Sequence, residues 1–90
     1  MQTYAVKNLV PVGSEVVDVS AADHTFTKRI QAIRCNEAGN VVARLRDDAS
    51  ANTYTVVAGE VLIGEYISVT RTGTTITTAG ALVGLSFPLA

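Results

Sequence analysis

The sequence predicts an all-β domain: an antiparallel β-sandwich or jelly-roll-like barrel of seven to eight short strands. β-branched residues, above all Thr and Val, run through it from end to end. Gly or Asn interrupts every apolar run within about ten residues, the spacing of strands joined by short connections. No segment repeats its apolar residues at helical spacing, so no long helix is expected.

Residues 1–13 read as an extended N-terminal arm or an edge strand, and residues 14–90 as one β-sandwich domain. Within the arm, Tyr4 to Val12 is apolar and extended, and Pro11 has no N–H to give a central ladder. Glu15 to Val19 is the first short strand. Ala21 to Phe26 is polar and irregular, with Asp23 and Thr25 suited to capping a turn. Arg29 to Cys35 is a strand with a mixed pattern: Gln31, Ile33 and Cys35 share one face, Ile30, Ala32 and Arg34 the other.

Asn36-Glu37-Ala38-Gly39-Asn40 then predicts a hairpin, with Gly39 supplying the positive φ of a bulged loop. On the return strand, Val41, Ala43 and Leu45 point to the core while Val42, Arg44 and Arg46 point outward. Asp47 to Asn52 is the loop of a second hairpin, and Thr53 to Val57 is its return strand. Ala58-Gly59 turns the chain again. Glu60 to Ile63, Tyr66 to Thr70, Thr74 to Thr78 and Leu82 to Phe87 complete the set, separated by Gly64, Gly73 and Gly80. The threonine-rich stretch over Thr70 to Thr78 reads either as a solvent-facing strand or as a hydroxyl-lined face pairing with another subunit.

Composition narrows the function classes. A chain of 90 residues buries only about 60% of its unfolded surface, so it is marginal on its own. Cys35 is the single cysteine and His24 the single histidine, so neither an internal disulfide nor a metal cluster is expected to supply the missing stability. Self-association is the remaining device. It agrees with a chain that is 48% hydrophobic and only 17% charged. A net charge of −1 and dispersed basic residues predict neither nucleic acid nor membrane as a partner. Met1-Gln2-Thr3-Tyr4 carries no export signal, and one free cysteine fits synthesis in a reducing cytoplasm.

Candidate catalytic groups are few. A base must be oriented by a third group, and Asp23 and His24, adjacent in extended chain, point to opposite faces. Cys35 lies in an alternating strand and reads as a small core hydrophobe. Asp47-Asp48 lacks the alternating acidic ligands of a calcium loop. No phosphate-binding glycine loop and no Asn-x-Ser/Thr acceptor occurs. The expectation is a protein that is no enzyme, with no catalytic residues, no metal and no cofactor.

The order of landmarks from Asp18 onward resembles a family of small virion proteins of tailed bacteriophages and gene transfer agents. The landmarks are the Ala22-Asp23-His24-Thr25 loop, the Ile30 to Gly39 strand and glycine hairpin followed by Asn40-Val41-Val42, the run Tyr54-Thr55-Val56-Val57-Ala58-Gly59-Glu60, and the closing Val69-Thr70-Arg71-Thr72-Gly73-Thr74-Thr75. The resemblance covers about four-fifths of the chain, and its force lies in order and spacing, because each motif alone is structural. Cys35 departs from the small residue usual there, and Ile63 from the proline many members carry.

The resemblance implies a virion protein on the outer capsid surface, a cement or decoration protein or a head-spike base. Its partners would be the major capsid protein or other virion proteins, and its own copies in a trimer or pentamer. The assembly contacts expected are Tyr4, Val6, Leu9, Val10 and Pro11 in the arm, with Thr72 and Thr74. The alternative is a carbohydrate- or host-surface-binding sandwich module. That reading needs exposed aromatic platforms, and the chain offers only Tyr4, Tyr54, Tyr66, Phe26 and Phe87, with no tryptophan.

Overall fold

The computed structural model describes residues 10–88. It contains eight short strands: β1 (Gly13–Val17), β2 (His24–Thr25), β3 (Ala32–Cys35), β4 (Gly39–Leu45), β5 (Asn52–Val56), β6 (Val61–Ile63), β7 (Tyr66–Thr70) and β8 (Leu82–Ser86). They form two antiparallel four-stranded sheets, sheet one in the order β1-β8-β3-β6 and sheet two in the order β2-β7-β4-β5. The fold is therefore an all-β sandwich, as the strand spacing predicts.

Alternation decides which side chains meet between the sheets. Val17, Ile33, Cys35 and Leu82 come from sheet one; Val41, Ala43, Val56, Tyr66 and Val69 come from sheet two. Val19, Ile30, Ile76 and Ala81 join them from the connections. The predicted inward set of β4 holds: Val41 and Ala43 are fully buried and Leu45 packs against the core, while Arg44 is half-buried and Arg46 exposed. Gly84 leaves room in the middle of β8. A Cβ there would stand 2.7 Å from Phe26 Cε1 and 2.8 Å from Ile30 Cδ1. Its lack of a side chain lets both residues reach the core.

Connectivity departs from the sequence expectation at its clearest local signal. The Asn36 to Asn40 segment is not a hairpin, because β3 lies in sheet one and β4 in sheet two. Of the seven connections between successive strands, only β4–β5 is a hairpin; the other six pass from one sheet to the other. Gly39 has φ 151°, but its task is close approach. A Cβ would sit 2.6 Å from Thr75 Oγ1 and 2.9 Å from Ile76 Cγ1. The glycine lets the chain after β7 lie against β4.

The predicted Thr74 to Thr78 strand does not form, and the reason is visible in its hydrogen bonds. Thr74 is buried, at 6% exposure, and its hydroxyl accepts from the Val42 N–H and donates to the Thr70 carbonyl. The Asn40 N–H donates to Thr75 Oγ1, and the Thr75 N–H donates to the Asn40 carbonyl. Threonine side chains thus replace ladder bonds where β7 ends, so the segment continues sheet two without strand geometry.

Smaller differences lie at strand ends. β1 starts two residues before Glu15 and stops at Val17, although Val19 stays buried in the core. β3 begins at Ala32, not Arg29. The turns before it are irregular because Ile30 enters the core while Gln31 Oε1 accepts from the Phe87 N–H. The irregular Ala21 to Phe26 segment holds the two-residue β2.

Candidate functional site

The one histidine does have an orienting carboxylate, but it is not Asp23. Glu15 Oε2 lies 2.8 Å from His24 Nε2, bridging β1 at the edge of sheet one and β2 at the edge of sheet two. The same carboxylate accepts from the Thr27 N–H, the Thr27 hydroxyl and the Lys28 N–H. Burial pushes the Glu15 carboxyl up, yet these donors outweigh it and hold the carboxyl below the ordinary glutamate value. The imidazole also packs edge-on against Phe26 at 5.0 Å. Asp23 is spent elsewhere, accepting from the Arg71 N–H at 2.7 Å. Glu15 and His24 thus form a clasp that closes one side of the sandwich.

The other titratable candidates are structural as well. Cys35 is fully buried, and burial, aided by the Glu60 charge, pushes its thiol up and away from the reactive thiolate. Asp48 Oδ2 accepts from Asn52 Nδ2 at 3.2 Å and the Asp48 carbonyl accepts from Arg44 Nε at 2.8 Å, which wires the β4–β5 loop internally. Among the described residues no group of three His, Cys, Asp or Glu side chains gathers as metal ligands. A shallow depression of about 360 Å³ lies beside Val12, Lys28, Arg29 and Phe87. Its two cations are engaged: Lys28 Nζ donates to the Ser14 carbonyl, and Arg29 binds Glu65.

The two outer faces of the sandwich differ sharply. On sheet one the register lines up two outward rows, Val16–Val83–Arg34–Val61 and Ser14–Leu85–Ala32–Ile63. Six of these eight positions are aliphatic. On sheet two the outward rows are Thr25–Ser68–Arg44, Thr70–Val42–Thr53 and Asn40–Thr55. Only one of those eight, Val42, is aliphatic, and the turn at Gly73 covers it, a Cβ there standing 3.0 Å from Val42 Cγ2. Arg34 does not spoil the aliphatic face. Its Nε donates to Asn36 Oδ1 at 2.9 Å, which draws the guanidinium towards the end of β3. Val16 is 58% exposed and Ile63 77%, whereas Val83 and Leu85 are half-buried and lie outside the core cluster. The result is an aliphatic patch with a polar rim, the anatomy of an interaction surface.

No family model matches the chain, and comparison with curated proteins and with solved structures finds no match. The geometry alone therefore carries the site.

Tyr4, Val6 and Leu9 of the expected assembly contacts lie outside the described residues. Val10 and Pro11 are exposed just before β1, while Thr72 is exposed on the far side of the molecule, next to the Ser20–Asp23 loop that follows β1. Those residues do not form one surface. Thr74 is turned inward, and its hydroxyl is consumed by β4 and β7. The aliphatic face escaped the sequence reading because its members come from four strands whose order depends on the crossings. The alternation within β8, with Leu82 and Gly84 inward and Val83 and Leu85 outward, is the one trace of it in the sequence.

Proposed function

We propose that this chain is a non-enzymatic structural protein of a tailed-bacteriophage virion, seated on the outer capsid surface as a cement or decoration protein or a head-spike base. The observation that carries the binding role is the aliphatic outer face of sheet one beside the polar face of sheet two. A free monomer gains nothing from leaving Val16, Val61 and Ile63 exposed and Val83 and Leu85 half-exposed on one face only. A protein that caps another surface needs that asymmetry: one face to seat, one to meet solvent. The order of sequence landmarks supports the virion setting, and the small apolar chain supports association with its own copies in a closed ring such as a trimer or pentamer.

The carbohydrate-binding reading draws no support from Tyr54, Tyr66 or Phe26. Tyr54 and Tyr66 stack edge-to-face at 5.9 Å, Tyr66 is buried, and Phe26 packs on the core. The test is co-sedimentation of purified chain with shells that lack it. Binding that saturates, and that disappears in V83T/L85T, is expected. A chain that ignores such shells at every concentration sinks the proposal.

A further inference from the structure

Sheet edges expose unpaired backbone groups, and proteins normally guard them. Two of the four edges here are guarded or blunt, and a third is polar on its exposed face. On β1, Lys28 Nζ caps the Ser14 carbonyl at 2.7 Å. β2 is only two residues long, and β5 presents Thr53 and Thr55 outward. The remaining edge, β6, is Val61-Leu62-Ile63, with no charge, no proline and no bulge in its pairing with β3. Val61 is 40% and Ile63 77% exposed, and Val57 just before the turn is 65% exposed.

The backbone phase of β6 is set by two bonds. The Glu60 carbonyl accepts from the Cys35 N–H, and the Gly64 N–H donates to the Gln31 carbonyl. Residues 60, 62 and 64 therefore turn their backbone groups to β3, and Val61 and Ile63 turn theirs outward.

We propose that β6 is a self-pairing edge, joining a second copy of this chain about a two-fold axis through Leu62. A two-fold axis normal to the sheet makes the entering strand antiparallel, which continues the alternation of sheet one. With Leu62 opposite its own mate, Val61 faces Ile63 of the second copy, and each such pair exchanges two N–H···O bonds. The exposed aliphatic side chains then meet as cross-strand neighbours, and the aliphatic faces of both copies merge into one.

Charge agrees with this register. Glu60 falls opposite Gly64 of the second copy, beside Glu65, whose carboxylate is bound by Arg29 and Arg46. Arg46, its side chain 52% exposed beside Glu65, offers a guanidinium to the Glu60 carboxylate of the second copy. The contact is pairwise and independent of ring symmetry, so it holds whether or not the chain binds a shell.

Sedimentation of the full chain across a wide concentration range tests the pairing. At high concentration the mass is expected to halve in I63K, whose lysine guards the edge, with the dissociation constant rising about tenfold or more. E60K weakens the pairing in the same direction, V16K on the opposite edge leaves it intact, and I63K and V16K melt as the parent does. Under oxidation, V61C mixed with I63C gives more linked dimer than either variant alone, because the axis sets 61 against 63. A mass that is unchanged by I63K, a mass that falls with V16K instead, or a V61C and I63C mixture that fails to link overturns the proposal.

Discussion

Gly39 and Thr74 show how single residues hold the unusual end of sheet two. Ala at 39 would put its Cβ into Thr75 Oγ1 and Ile76 Cγ1, at 2.6 and 2.9 Å, while φ stays at 151°. Ile76 is 2% exposed and has nowhere to retreat. G39A is therefore expected to lower the unfolding free energy by about 2 kcal/mol, the range for overpacking a filled site. Urea denaturation checks this, and a loss under about 0.5 kcal/mol would show that the segment moves aside freely. Thr74→Val keeps the shape but leaves the Val42 N–H and the Thr70 carbonyl without their partner. Its expected cost is about 1–3 kcal/mol, while Thr74→Ser, which retains the hydroxyl, stays nearer the parent. Equal losses in the two variants would mean that the methyl, not the hydroxyl, matters. Threonine content is legible in the sequence. Whether a threonine faces water or substitutes for a ladder bond is not, because the answer depends on β4, more than thirty residues away.

The elements that close the sandwich are β1 and β2, and Glu15 joins them. Its carboxyl is held below the ordinary glutamate value in the folded chain, so the folded state binds the proton less readily than the unfolded one. The stability it contributes is fully present above the unfolded pKa, about 4.3, and is lost as pH falls through the lower folded value. Asp18, held down by the Ser20 hydroxyl and amide, and Glu65, held down by Arg29 and then Arg46, slope the same way. The difference between parent and E15Q isolates the clasp. That difference is expected to be largest at neutral pH and to shrink on acidification, read from urea midpoints. A pH-independent difference would assign the clasp to packing against Phe26. Individual strands were legible because alternation is local: Tyr66–Thr70 forms over the very residues expected, and β4 keeps its predicted faces. Pairing across the sheets was not. Asp23 is merely the neighbour of His24 in sequence, whereas the carboxylate that pairs with it stands nine residues back on another strand.

At the scale of the molecule, the crossings determine both what could be read and where the aliphatic face lies. A hairpin announces itself by local turn chemistry, and the β4–β5 loop did so correctly. Gly39 looks like the same signal, yet it serves a crossing, because the deciding contact is Ile76. Six crossings place β1, β8, β3 and β6 side by side from distant parts of the chain, so the aliphatic face exists only after folding. That origin makes a distinct prediction for the isolated protein. Val83 and Leu85 form the middle of the face without touching the core cluster, so V83T/L85T leaves the unfolding free energy within about 1 kcal/mol of the parent. An environment-sensitive apolar dye such as ANS is expected to bind the folded parent weakly but measurably on this patch. In V83T/L85T that fluorescence falls to background, while the corresponding sheet-two change, T53S/T55S, leaves it unaltered. Should the dye signal persist in V83T/L85T, the exposed apolar surface lies elsewhere, and the seating face assigned to sheet one loses its physical basis.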